Sequence, residues 1–385
     1  MNWRVPLADV DFGSEEEAAV TGVLRSKWLS MGAVTQEFEK EFSAFTGAKH
    51  CLAVANGTAA LHLACLALGL GPGDEVILPS LTFVATANAV RYTGAVPVFA
   101  DIESLDWLTI SPSAIEACIT ERTRAILVMH YAGFACSMPT ILEIARRHHL
   151  KVIEDAAHAI GSELEGRTLG TWGDIGCYSF FSNKNMTTGE GGMLATDDDA
   201  LAERLRILRS HGMTSLSWDR HQGHASTYDV VDLGYNYRID EMRSALGRVQ
   251  LKKLPLNNER RKQLTGLYRE ILAELVPDLH IPFQETRGKA CYHIMPVLLP
   301  VGVDRFRFME GMKAQGVQTS IHYPPVHRFH IYKPNGLQGK DPLTLTEEAA
   351  AREVTLPLYP TMQAEQVEYT VRAVQDVLQA IGGNT

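Results

Sequence analysis

Between about residues 15 and 210, short runs of apolar and β-branched residues alternate with stretches whose apolar positions recur every three or four residues. The short runs predict strands at Cys51 to Ala55, Glu75 to Leu78, Val96 to Ala100, Ala125 to His130, Val152 to Glu154, Ile175 to Phe181 and Met193 to Thr196. The stretches between them predict helices, as over Ala59 to Leu68, where Leu61, Ala64, Cys65 and Leu68 share one face. Gly71-Pro-Gly-Asp74 then stops the chain and turns it into the next strand. Strands alternating with helices predict an α/β fold built on a mostly parallel seven-stranded sheet sandwiched by helices. Ligands of such sheets bind beyond the carboxyl ends of the strands, so residues at those ends carry the functional weight.

From about residue 250 the pattern changes. Leu251 to Leu275 reads as a long, charged amphipathic helix, followed by Pro-bounded strands around Tyr292 to Leu299 and a closing helix near residues 363 to 381. The expected division is a large α/β domain over residues 1–250, including an N-terminal arm at 1–14, and a smaller α+β domain over residues 251–385.

Charge and composition narrow the function classes. The net charge of −9, spread without long blocks of one sign, argues against nucleic acid or an anionic membrane as a partner. The six cysteines, at 51, 65, 118, 136, 177 and 291, form no CxxC pair, and several sit inside apolar runs, which fits reduced thiols in a cytoplasmic protein. Met1-Asn-Trp-Arg-Val lacks the pattern of a signal peptide, and no apolar run approaches membrane-spanning length.

Candidate chemistry gathers at the predicted strand ends. Tyr178-Ser-Phe-Phe-Ser-Asn-Lys-Asn-Met-Thr-Thr-Gly-Glu-Gly-Gly192 places Lys184 in a loop of small, polar residues directly after an apolar strand. Partial burial there would lower its pKa and make it a nucleophile. Lys151-Val-Ile-Glu-Asp155 ends a second strand in an acid, which either caps a helix or faces a buried cation such as a protonated pyridine. A nucleophilic lysine and a strand-end aspartate together suggest pyridoxal 5'-phosphate. Asn56-Gly57-Thr58, between a strand and a helix, is either plain turn and cap chemistry or a phosphate cradle, and Ser179 is either a solvent-facing strand serine or a further phosphate donor. His158 is one helical turn from Asp155 and reads equally as a structural histidine or a partner of the cofactor's phenolic oxygen. Phe83 is a core residue or an aromatic cover for one face of a flat ring. Glycines 189, 191 and 192 are expected to leave space for cofactor and substrate. His322 and His327 lie five apart, but the intervening Tyr-Pro-Pro-Val spoils a helical metal-ligand pair, so no metal is expected.

With those residues in place, the chain resembles the sugar aminotransferases of the DegT/DnrJ/EryC1/StrS family, within the fold-type I class of pyridoxal phosphate enzymes. The likeness runs through Trp28-Leu-Ser-Met-Gly32, Phe38-Glu39, Asn56-Gly-Thr-Ala-Ala-Leu-His62, Gly71-Pro-Gly-Asp-Glu-Val76, Thr82-Phe83, Glu154-Asp-Ala-Ala157, Thr187-Thr-Gly-Glu-Gly-Gly192, Gly234-Tyr-Asn-Tyr-Arg238 and His322-Tyr-Pro-Pro-Val-His327. It implies that Lys184 anchors the cofactor, Asp155 meets the pyridine nitrogen, Phe83 stacks on the ring, and Gly57, Thr58 and Ser179 hold the phosphate. It also implies that Asn236 reaches the phosphate of the neighbouring subunit's cofactor, so that a homodimer shares its active sites, and that Ser30, His322, Tyr323 and His327 lie on the substrate side. Two positions depart from the family pattern: His158 stands where members often carry Gln, and Ser182-Asn183 where they carry Pro-Thr.

The expected reaction is a ping-pong transamination from L-glutamate, through the pyridoxamine form of the cofactor, to a ketone of a nucleotide-linked deoxysugar. Thr187 to Gly192 resembles the 4-keto-sugar branch and points to C4; a 3-keto-sugar or a cyclitol ketone is the alternative acceptor. Dehydratase relatives replace the anchoring lysine with histidine, so Lys184 favours transamination over dehydration, and the retained Lys184, Asp155 and substrate-side His327 speak against a regulator that has lost turnover.

Overall fold

The computed structural model describes residues 3–214, 227–333 and 342–382. Its strands, in chain order, are β1 (His50–Val54), β2 (Glu75–Pro79), β3 (Val96–Ala100), β4 (Thr123–Met129), β5 (Lys151–Asp155), the short pair β6 (Glu163–Leu164) and β7 (Arg167–Thr168), β8 (Ile175–Ser179) and β9 (Gly192–Thr196), with β10 (Met295–Leu298) and β11 (Glu353–Leu356) further on. Seven of them form one sheet in the order β1-β9-β8-β5-β4-β2-β3. All are mutually parallel except β9, which runs antiparallel to both of its neighbours. The expected mostly parallel seven-stranded sheet is therefore present.

The apolar runs are continuous rather than alternating because both faces of the sheet are covered. In β4, Ile126 and Val128 join one hydrophobic cluster while Ala125 and Leu127 join another on the opposite face. The helix expected over Ala59 to Leu68 is Gly57–Ala67, and it is buried almost all round rather than on one face. It lies between strands β8 and β9 and the helices Val84–Tyr92 and Asp199–Leu208, which is why its composition is so apolar. The strand expected to reach Phe181 ends at Ser179, where the chain leaves the sheet toward Lys184.

The long helix is Glu241–Leu275, which starts ten residues before the expected Leu251 and runs through residue 250, the expected domain boundary. Its first turns carry apolar residues at helical spacing, Met242, Ala245, Leu246 and Val249, and polar contacts fix its start. The Asp240 side chain accepts from the Arg243 N–H. Glu241 reaches back to the start of the helix Ala33–Thr46, its carboxylate accepting from the N–H groups of Gly32, Val34 and Thr35 at 2.8 Å each. An anion at a helix N-terminus satisfies orphan N–H groups and the positive end of the dipole together. Beyond this helix, β10 and β11 pair antiparallel, and the helices Arg305–Ala314 and Ala364–Gly382 pack beside them. The N-terminal segment docks onto this part, with Val5 bridging Val317 and Leu7 N–H donating to Gln318 Oε1 at 3.0 Å. Among the described residues, no helix is long and apolar enough to cross a membrane.

Candidate active site

A cavity of about 410 Å³ opens at the carboxyl edge of the sheet, beyond the ends of β1, β2, β5 and β8. Its walls include Gly57, Thr58, Phe83, Asp155, His158, Ser179, Lys184, His322 and Tyr323, nine of the twelve site residues expected from sequence. Ser30, Asn236 and His327 lie outside it. Ser30 is exposed and bridges to Asp240, and Asn236 is exposed and bridges to Ser210. His327 is buried in a short turn, where Ser80 Oγ meets its Nδ1 at 2.7 Å and Glu347 Oε1 its Nε2 at 3.0 Å.

One end of the cavity is a small-residue cradle. Asn56 is the N-cap of its helix, its Oδ1 accepting from Ala59 N–H at 2.8 Å, so the turn reading holds for Asn56 while Gly57 and Thr58 face the cavity. A Cβ at Gly57 would lie 2.8 Å from the Ser179 Cβ, so the helix start and the end of β8 meet only because residue 57 is glycine. Ser179 is buried, which sets aside the solvent-facing alternative. Of the glycines after Lys184, Gly192 does a different job from the one expected. A Cβ at Gly192 would stand 2.7 Å from the Asn56 carbonyl, so this glycine lets β9 approach the cradle from behind rather than opening space for a ligand.

Asp155 lines the cavity as well. It is buried, its Oδ2 accepts from Thr86 Oγ1 at 2.8 Å, and its Oδ1 accepts from Ala157 N–H at 3.1 Å. Because Thr86 spends its proton on Asp155, Thr82 is the donor in the 2.7 Å contact between the two threonines. Burial raises the Asp155 pKa, opposed by these hydrogen bonds and by the nearby Lys184 and His130. Phe83 is 53% exposed at the mouth and therefore not a core residue. Its ring lies 5.8 Å from that of Tyr323.

Lys184 lines the same cavity. Burial lowers its pKa from the usual lysine range to about 8, against the opposing pull of Asp155 and Cys291. His158 is held neutral by burial and by the positive charge of Lys184. Its Nε2 meets Tyr323 Oη at 2.8 Å, whereas its buried Nδ1 has no hydrogen-bond partner among the described residues. His322 is fixed by its N–H, which donates to Glu353 Oε2 at 2.8 Å, and by Thr355 Oγ1, 2.8 Å from its Nδ1. Burial raises the Glu353 carboxyl to about 7. Thr86, His293 and Glu353 were not expected from sequence. Thr82 and Thr86, four apart at a helix start, are a local signal that would have hinted at Thr86, while His293 and Glu353 left none.

The family model described as the DegT/DnrJ/EryC1/StrS aminotransferase family matches residues 10–375 of this chain. The chain belongs to the DegT/DnrJ/EryC1/StrS aminotransferase family. It is a sugar aminotransferase of that family. It is 41% identical over 371 residues to the spore coat polysaccharide biosynthesis protein SpsC of Bacillus subtilis, covering 95% of each chain. Its fold matches PseC of Helicobacter pylori, an aminotransferase involved in the biosynthesis of pseudoaminic acid, with a TM-score of 0.89 at 29% identity, covering 98% of this chain and 99% of that one. Spr1654 of Streptococcus pneumoniae, in its PMP-form, gives a TM-score of 0.91 at 26% identity, covering 98% of this chain and 100% of that one. A PLP-form of the same protein also matches. The fold-type I architecture of this DegT/DnrJ/EryC1/StrS enzyme follows from these likenesses.

The cradle makes a first prediction. Gly57→Ala should weaken capture of pyridoxal phosphate by about tenfold or more, because an overpacked contact of this kind costs about 1 to 3 kcal/mol. Titration of the apoprotein with pyridoxal phosphate checks it, and an unchanged Kd would remove Gly57 from the phosphate site.

Proposed function

We propose that this enzyme transfers the amino group of L-glutamate to a keto group, at C4, of a nucleotide-linked deoxysugar, using pyridoxal phosphate held in the cavity described above. One observation carries the reading: a lysine with its pKa lowered to about 8 shares a cavity with a buried carboxylate that burial destabilises.

The residues fit the cofactor chemically. Gly57, Thr58 and Ser179 form a cradle at a helix N-terminus, where a phosphate dianion meets N–H groups and the positive end of the helix dipole. A protonated pyridine nitrogen would relieve the burial penalty on Asp155. The unpartnered Nδ1 of His158 is suited to the phenolic oxygen, and the exposed Phe83 ring can cover one face of the cofactor. When bound, pyridoxal phosphate supplies a carbonyl carbon that carries nitrogen between donor and acceptor, and a conjugated ring that takes up electrons.

Lys184 does the work of a base and a nucleophile. At neutral pH, with a pKa of about 8, roughly a tenth of it is the free amine, far more than an exposed lysine offers. Its Nζ would hold the cofactor covalently when that group is bound and, once released, would carry a proton to and from the substrate carbon. Asp155, oriented by Thr86 and Ala157, keeps its charge directed into the cavity. His322 and Tyr323 form the wall on which the sugar rests. In a homodimer, Asn236 serves the phosphate of the neighbouring subunit's cofactor. Its exposure outside its own cavity supports this, as do the exposed Val230, Val231 and Leu233 beside it. The six cysteines are all buried, which fits reduced thiols in a cytoplasmic setting.

The test separates donor from acceptor. L-Glutamate alone should yield 2-oxoglutarate in an amount matching the bound cofactor and then stop. Adding a nucleotide-linked 4-keto-6-deoxyhexose should restart it and give a product with C=O replaced by CH–NH2. Failure to release 2-oxoglutarate would remove glutamate as donor, and a product that lost water without gaining nitrogen would point to a dehydratase.

A further inference from the structure

His293 carries a ring nitrogen to Lys184 that no feature of the sequence announced. Its Nε2 stands 3.5 Å from Lys184 Nζ, and its Nδ1 stands 2.8 Å from Asn185 Oδ1. Which nitrogen bears the proton follows from a chain of buried amides that ends on backbone carbonyls. The Ile160 carbonyl can only accept, so the amide nitrogen of Asn258 donates to it at 3.0 Å, which turns Asn258 Oδ1 toward Asn185. The amide nitrogen of Asn185 then spends its two protons on Asn258 Oδ1 at 2.7 Å and on the Cys291 carbonyl at 2.8 Å. Asn185 Oδ1 is left facing His293, and an amide oxygen can only accept. His293 must therefore be protonated at Nδ1, with the Nε2 lone pair directed at the lysine.

The ring has little freedom to do otherwise. The His293 N–H donates to the Ala132 carbonyl at 2.9 Å, and Arg261 donates to the His293 carbonyl at 3.1 Å. His293 is 3% exposed, and burial together with its positively charged neighbours keeps its imidazole neutral.

We propose that His293 is a positioning residue for Lys184: a neutral imidazole, locked in the Nδ1–H tautomer by the Asn258–Asn185 relay, whose Nε2 accepts a hydrogen bond from the lysine and fixes where Nζ sits. No proton crosses between the two at equilibrium, because the imidazole is the weaker base. The contact holds Nζ against the wall of the cavity in the interval when the lysine is free to carry a proton, and it favours the ammonium form against the desolvation that lowers its pKa. The proposal deepens the reading of Lys184 as the reactive amine and rests on it. Other groups also act on Lys184: Asp155 and Cys291 hold its pKa up, while the lysine's own charge bears on the buried imidazoles of His158 and His322.

Two measurements on the apoprotein test it without reference to turnover, so its failure is distinguishable from failure of the proposed reaction. In protein with 15N-labelled histidine rings, the His293 signals are assigned by comparison with His293→Gln among the 14 histidines of the chain. Nδ1 should be the protonated nitrogen on both sides of the Lys184 midpoint near 8, and the Nε2 resonance should move as the lysine titrates but not in Lys184→Met. A proton on Nε2 would overturn the proposal. The second measurement follows modification of Lys184 by an amine-reactive reagent against pH, read by peptide mass spectrometry. His293→Phe, which removes the acceptor, should shift the midpoint down by about one unit, a tenfold change in the ratio of ammonium to amine. His293→Gln, whose amide oxygen can still accept, should restore most of it. Equal downward shifts in both variants would mean that His293 supplies burial alone. Should His293→Phe fail to fold, the ring-nitrogen assignment still decides the matter.

Discussion

Lys184→Ala should leave a folded protein whose turnover of glutamate and keto-sugar falls by about 10³-fold or more, since it removes both a nucleophile and the proton carrier. The fold should survive because the backbone of residue 184 is held independently of its side chain, its N–H donating to the Phe181 carbonyl at 2.9 Å. The informative comparison is Lys184→Arg. Arginine keeps a positive charge facing Asp155 but stays protonated throughout the accessible range, so it should be as inactive as alanine. If the cavity needed only a cation beside Asp155, arginine would retain activity. Steady-state kinetics of the three proteins, with thermal melting to confirm folding, decide between the two. Borohydride treatment of the wild-type holoprotein should fix the cofactor on the peptide that contains Lys184, and a label elsewhere would move the anchor.

The parts of this site legible in the sequence are those set by strand ends. A parallel sheet covered on both faces needs continuous apolar runs, and the residue where such a run stops falls at the carboxyl edge, so Asp155, Ser179 and Lys184 could be placed without a structure. What depended on chain segments far apart could not. His293 meets Lys184 across 109 residues, and His322 takes its orientation from Glu353 across 31. Neither contact leaves a periodic or local trace. Proximity in sequence does not fix placement: His322, Tyr323 and His327 share one motif, yet the first two line the cavity while the third is held by Ser80 and Glu347. The start of the long helix was missed although Met242, Ala245, Leu246 and Val249 stand at helical spacing, because a glycine, a poor helix former, falls among them. Gly247 sits against the Phe38 ring, where a Cβ would come within 2.6 Å, so close packing there uses a small residue instead of an apolar one.

Asp155→Asn should have opposite effects on the apoprotein and on the loaded enzyme. In the apoprotein burial holds the Asp155 pKa above the ordinary carboxylate range. An acid whose folded pKa is raised loses stability as pH climbs through that pKa, because ionising it then costs more in the folded state than in the unfolded one. Near neutral pH the neutral amide avoids that cost. It can also satisfy both neighbours, with its oxygen accepting from Ala157 N–H and its nitrogen donating to Thr86, whose hydroxyl can rotate toward Thr82. The apoprotein variant should therefore melt no lower than wild type near neutral pH, and the difference should shrink as pH falls and Asp155 takes up its proton. With cofactor bound the sign reverses. The carboxylate would face a protonated ring, and removing one member of a buried charge pair costs about 3 to 5 kcal/mol, so turnover should drop by about 10² to 10⁴-fold. Melting curves of the two apoproteins across pH, set beside kcat/KM of the loaded enzymes, read both signs. A variant that melts lower without cofactor while keeping full turnover would show that Asp155 is a structural cap and that the cation of this site is bound elsewhere.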